Sequence, residues 1–91
     1  DLFVANAFSP NGDGQNDVLY VQGNALCVKD LQFIIYNRWG ERVFETTNIS
    51  NGWDGAFNGK PTGTGVFIYY LNATLATGST VSLKGNVSLI R

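Results

Sequence analysis

The segment Ser9-Pro10-Asn11-Gly12-Asp13-Gly14-Gln15-Asn16-Asp17 is where this sequence comes nearest to metal chemistry. Oxygen-bearing side chains stand at alternate positions, Asn11, Asp13, Gln15 and Asp17, with glycines between them that permit a sharp curl. Calcium takes roughly six to eight oxygen ligands on a flexible loop, and such a run supplies several of them. The match to an EF-hand loop is partial, because no Glu stands at the twelfth position and no helical pattern flanks the segment. Two carboxylates predict modest affinity. The same residues also suit a metal-free turn, in which Asn and Asp bond to their own backbone. Both readings stay open, and Ca²⁺ is the only cofactor that either one invokes.

A second group is Ile35-Tyr36-Asn37-Arg38-Trp39-Gly40-Glu41-Arg42-Val43-Phe44 together with Trp53-Asp54-Gly55. Arginine over an indole face contributes about 0.5–2 kcal/mol, and exposed Trp and Arg are common interface anchors. Equally, Trp39 and Trp53 suit the packed ends of a small sandwich, with Asp54 accepting from backbone N–H groups or an Arg. A third group is Lys84-Gly85-Asn86-Val87-Ser88-Leu89-Ile90-Arg91. A sequence that stops one residue after its last apolar position predicts a final strand available as a recognition edge, or one that simply completes a sheet.

Ordinary hydrolytic catalysis is excluded more firmly. The chain has 91 residues, no His and one Cys. The usual base at neutral pH is missing, and with it the Ser–His and Cys–His nucleophile pairs. Asp13 and Asp17 share one curled loop and cannot flank a sugar as glycosidase carboxylates do. A single Cys forms no internal disulfide and no Cys/His zinc site. Cys27 is expected as a small apolar residue in or near the core.

The elements that must position these groups are strands. Val81-Ser82-Leu83-Lys84-Gly85-Asn86-Val87-Ser88-Leu89 alternates apolar and polar residues, the period of a half-buried strand. Gly85 interrupts its apolar side, which predicts a bulge or a close approach by another group. Val66 to Leu75 places Phe67, Tyr69, Leu71, Ala73 and Leu75 on one face, and Ala76-Thr77-Gly78-Ser79 turns it into the last strand. Leu31 to Arg38 is apolar on nearly both faces and reads as a central strand. It turns through Trp39-Gly40-Glu41 into Arg42 to Thr46. Leu2 to Phe8 and Val18 to Val21 add shorter strands, and Asn58-Gly59 is a tight-turn dipeptide. No window carries a capped 3.6 period. The expected fold is all-β: a small immunoglobulin-like β-sandwich of about seven antiparallel strands, essentially without helix, forming a single domain over residues 1–91.

Six Lys+Arg stand against seven Asp+Glu, a net charge of -1, which gives no basic face for nucleic acid or anionic lipid. Charged residues are 14% of the chain, below the roughly 25% of ordinary soluble domains. Polarity comes instead from 10 Asn, 7 Thr and 5 Ser beside 11 Gly, a composition suited to a secreted β domain. No apolar run approaches the length of a membrane span. The sequence opens at Asp1 without a signal peptide pattern, so an excerpt of a larger secreted or surface protein is expected.

Read in order, the blocks Phe8 to Asp17, Ile35 to Glu41, Trp53-Asp54-Gly55, Asn58-Gly59-Lys60, Gly65-Val66-Phe67-Ile68-Tyr69 and Lys84 to Arg91 resemble the gliding motility-associated C-terminal domain. This is the type B sorting domain of the type IX secretion system of Bacteroidetes. The resemblance implies a sorting signal that directs a cargo, often an adhesin, through the outer-membrane translocon with the help of an associated β-barrel protein. It implies transit through the periplasm and a final place on the cell surface or outside the cell. It marks Arg38, Trp39, Gly40, Trp53, Asp54, Gly55, Lys84, Gly85, Leu89, Ile90 and Arg91 as recognition positions on a monomer. Thr64 departs from the family, which commonly has Pro before the Gly-Val pair. The alternatives are a calcium-steadied carbohydrate-binding domain, with Trp39, Trp53, Tyr69 and Tyr70 as a stacking platform, or an adhesin spacer.

Overall fold

A computed structural model describes residues 2–12 and 17–91. Along these the chain forms β1 (Phe3–Val4), β2 (Ala7–Phe8), β3 (Val21–Gln22), β4 (Val28–Tyr36), β5 (Arg42–Thr46), β6 (Ala56–Phe57), β7 (Lys60–Pro61), β8 (Gly65–Leu75) and β9 (Thr80–Leu89). The only helical element among the described residues is a 3-10 turn at Ala25–Cys27.

One five-stranded sheet dominates, in the order β2-β9-β8-β4-β5. Its backbone is the β8–β9 hairpin, paired without a register break from Gly65↔Leu89 to Thr74↔Thr80. The turn Ala76–Ser79 closes it with Leu75 N–H donating to the Ser79 carbonyl at 2.7 Å. β4, whose stretch from Leu31 to Tyr36 is apolar on nearly both faces, lies between β8 and β5. The second layer is made of short pieces. β1 pairs with β3, Leu19 bridges to Trp53, and β6 pairs with β7. Asn58 and Gly59 both take positive φ (54° and 77°), the requirement of a two-residue type I′ hairpin.

The strands are antiparallel with one exception. β2 runs parallel to β9, Ala7 facing Ser88 and Phe8 facing Leu89. Leu2 to Phe8 is therefore not one strand but two, β1 serving the second layer and β2 the main sheet. Cys27 also differs from expectation: it is exposed at the end of the 3-10 turn, whose Leu26 N–H is capped by the Asn24 side chain at 2.9 Å.

Odd-numbered residues of β4, β8 and β9 face inward, where Phe33, Ile35, Leu71, Val87 and Leu89 are fully buried. Phe8, Leu19, Val21 and Trp53 complete the core from the other side. At about 25 cal/mol per Å² of apolar surface removed from water, such burial is what holds a disulfide-free domain of this size together. On the even-numbered face of the main sheet Ile34, Tyr36 and Ile68 are half-buried and Tyr70 is exposed, with no strand of the second layer among the described residues paired over them.

Candidate recognition surface

Trp53 sits at the centre of the core. It is 1% exposed, and its ring meets Phe67 and Phe8 at centroid distances of 4.8 and 5.5 Å. Its indole N–H donates to the Ala56 carbonyl at 2.8 Å, and its main chain exchanges two hydrogen bonds with Leu19. Asp54 accepts from the Ala56 N–H at 3.1 Å, as expected of a turn carboxylate. Gly55 has φ +85°, and a Cβ there would meet Pro10, Arg91 and Leu89 at 3.0–3.1 Å. The glycine gives both the left-handed backbone and the room for that approach.

Arg91 uses the room. Its guanidinium donates to the carbonyls of Pro10 and Gly55, each at 3.1 Å, and to that of Thr62. Its N–H donates to the Thr64 hydroxyl at 3.1 Å. Thr64, the departure from the family pattern, thus gains an acceptor role in this chain. The Pro10 loop and both ends of the β6–β7 hairpin, Gly55 and Thr62, are tied to one fork, whose rigid geometry suits simultaneous donation to several oxygens. Leu89 is fully buried beside it, and Ile90 is half exposed.

The β4–β5 turn stands across a cleft of about 450 Å³ that it shares with Thr62, Thr64 and Val66 and that Phe57 and Phe67 line. Asn37 organises this turn. Its side-chain oxygen accepts from the N–H groups of Trp39 and Glu41, and its amide donates to the Glu41 carboxylate, all at 2.9 Å. Gly40 supplies the positive φ of 82°. Trp39 is left 72% exposed, with the Arg38 guanidinium 4.6 Å from its ring centroid. The cation and the indole form one exposed unit.

Fold and sequence together thus bring Arg38, Trp39, Gly40, Asp54, Gly55, Leu89, Ile90 and Arg91 to one end of the sandwich. Trp53 lies beneath them as core. Lys84 and Gly85 stand apart, midway along β9, where Gly85 faces Tyr69. Asn37 and Thr62 are positions to which the sequence alone assigns no role. The only local signal was Asn37, three residues before a glycine in a turn.

Three sequence expectations meet specific geometry. Of the loop expected to curl, the described residues place the Asp17 carboxylate where it accepts from the N–H groups of Asn11 at 3.1 Å and Gly12 at 3.0 Å. Asp13 and Gln15, the other two candidate ligands, lie outside the described residues. The four-aromatic platform does not form, because Trp53 is core and Tyr69 packs inward against Phe33. The last strand is covered near its end by β2 and the residue before it, the Ser88 and Ile90 N–H groups donating to the carbonyls of Asn6 and Phe8 at 2.9 and 3.0 Å.

No helix among the described residues is long and apolar enough to cross a membrane. No curated protein matches the chain. The family model of the CHU_C type IX secretion signal domain matches residues 2–89. That covers both the core residues and all but two of the surface positions above. Such a domain is a non-catalytic module whose cargo is exported to the cell surface or the extracellular space. The chain belongs to the type IX secretion signal domain family and is a C-terminal sorting signal.

Proposed function

We propose that this domain acts as a monomeric address label on a larger polypeptide, an adhesin being the expected cargo. In this reading the cargo crosses the periplasm before the outer-membrane translocon and an associated β-barrel protein take it up. The observation that supports this most is the family match over nearly the whole chain. A label read by such machinery must fold without disulfides and offer the same surface whatever cargo precedes it. The Arg38–Trp39 unit suits that role, since an exposed Trp stacked by Arg has the composition of an interface anchor.

Export of a reporter tests the reading. A signal peptide and a fluorescent carrier are fused ahead of residues 1–91 and expressed in a gliding Bacteroidete. The reporter is expected at the cell surface or in the medium, and not there in a translocon-deficient strain. Equal periplasmic retention in both strains, with the domain folded, would sink the sorting role for this chain.

Calcium is a secondary proposal for the Asn11–Asp17 loop. The Asp17 carboxylate accepts from the N–H groups of Asn11 and Gly12, so an ion bound here would share that carboxylate with the backbone. A rise in melting temperature with added Ca²⁺ that disappears in Asp13→Ala is the expected sign. Identical melting in Ca²⁺ and in chelator would leave the loop a plain turn.

A further inference from the structure

The main sheet ends in two unlike edges. β5 has five residues, and the register shift between Ile35 and Tyr36 leaves Val43 as an extra residue in its ladder. It also carries the Arg42–Glu45 ion pair at 3.1 Å. Short length, a bulge and charge all discourage strand addition. β9 has ten residues and no register shift against β8. Among the described residues its outer side is covered only near its end, at Ser88 to Ile90, because the chain leaves the main sheet at β1 to pair with β3.

Which groups this edge offers follows from the alternation of an unbulged antiparallel strand. The N–H groups of Ser88 and Ile90 donate outward to the carbonyls of Asn6 and Phe8. The N–H and C=O groups of Asn86, Lys84 and Ser82 therefore point the same way, while Val87, Gly85 and Leu83 bond to β8. Those three outward main-chain pairs have no partner among the described residues, and all three side chains are exposed. The Lys84 ammonium lies 5.3 Å from the Tyr70 ring centroid, and no carboxylate among the described residues pairs with it.

We propose that the Ser82–Asn86 edge of β9 docks an extended segment of a partner polypeptide that sets a carboxylate opposite Lys84. The inference rests on the sorting reading and deepens it, by naming the part of the fold that the machinery grips. Donors and acceptors repeating every second residue, about 6.8 Å apart, are matched by another extended backbone. The occupant is not a second copy, since two such edges paired about Lys84 would set two ammonium groups face to face. The same lysine that deters self-pairing selects an acidic partner.

The reporter fusion decides this in four forms: wild type, the double variant Ser82→Pro/Asn86→Pro, Lys84→Glu, and Glu45→Pro on the opposite edge. Proline at an outward N–H of an edge strand removes no main-chain hydrogen bond, and Ser82→Pro gives up only the exposed bond from the Ser82 hydroxyl to the Asn72 side chain at 2.9 Å, so the double variant is expected to fold, as checked by thermal melting of the purified domain. Export is expected to fall at least tenfold in the double variant and in Lys84→Glu, and to stay at the wild-type level in Glu45→Pro. Wild-type export by a folded double variant overturns the docking edge and leaves the sorting role intact. If the double variant unfolds, Lys84→Glu decides: undiminished export overturns the proposal, and a tenfold loss supports it. Failure of the wild-type fusion itself removes the sorting reading and this inference together.

Discussion

The ring of Tyr69 occupies the space that a side chain at Gly85 would fill. The two are cross-strand partners, and a Cβ on Gly85 would lie 2.9 Å from the Tyr69 hydroxyl and 3.0 Å from two ring carbons. The glycine that interrupts the apolar side of β9 is thus a close-approach position, with no bulge in the β8–β9 ladder. Tyr69 in turn packs against Phe33 at 6.1 Å. Gly85→Val must displace that ring and is expected to cost about 1–3 kcal/mol, the range for overpacking. Urea unfolding of the purified domain measures it, and an unchanged midpoint would mean the ring is not held there.

Arg91 should behave as a structural staple. Its guanidinium meets the carbonyls of Pro10, Gly55 and Thr62, and Arg91→Ala is expected to lower stability by about 1–2 kcal/mol after allowance for its exposure. Arg91→Lys should recover less than half of that, because an ammonium cannot reproduce the planar fork. Equal melting temperatures for the Lys and Arg forms would refute the staple.

The two tryptophans should separate cleanly. Trp53→Ala empties the centre of the core and is expected to cost about 3–5 kcal/mol, much of the stability of a domain this size. Trp39→Ala removes an exposed ring and one cation–π contact, and is expected to cost less than about 1 kcal/mol. Paired denaturant titrations of the two variants check the ordering, and comparable losses would contradict it.

Amide hydrogen exchange reads the open edge directly. Leu83 and Gly85 donate into the β8 ladder and should exchange slowly, whereas Ser82, Lys84 and Asn86 should exchange rapidly. Protection of these three in the isolated domain would show that the edge is already covered. A proline at Gly85, unlike one at Ser82 or Asn86, would break the β8–β9 ladder and meet the Tyr69 ring.

What the sequence determined by itself is the part of the fold governed by local rules. The two-residue period of Val81 to Leu89 and of Phe67 to Leu75, the turn at Ala76–Ser79 and the Asn58-Gly59 dipeptide each depend on neighbouring residues alone, and each forms as read. β4 was legible as central because its stretch from Leu31 to Tyr36 is apolar on nearly both faces. Tertiary structure decided what depends on distant partners. Nothing near Ala7 indicates that it pairs in parallel with Ser88, or that Arg91 reaches the Pro10 carbonyl, 81 positions away. Trp39 and Trp53 are the same residue type, each followed closely by glycine, yet one is 72% exposed and the other 1%. The difference lies in where each falls on the assembled sheet, on a turn beyond its end or opposite its buried face. Cys27, apolar by type, is exposed for the same reason. Side-chain period and turn chemistry fix strands, but burial and the recognition end are set only when the two layers close on one another.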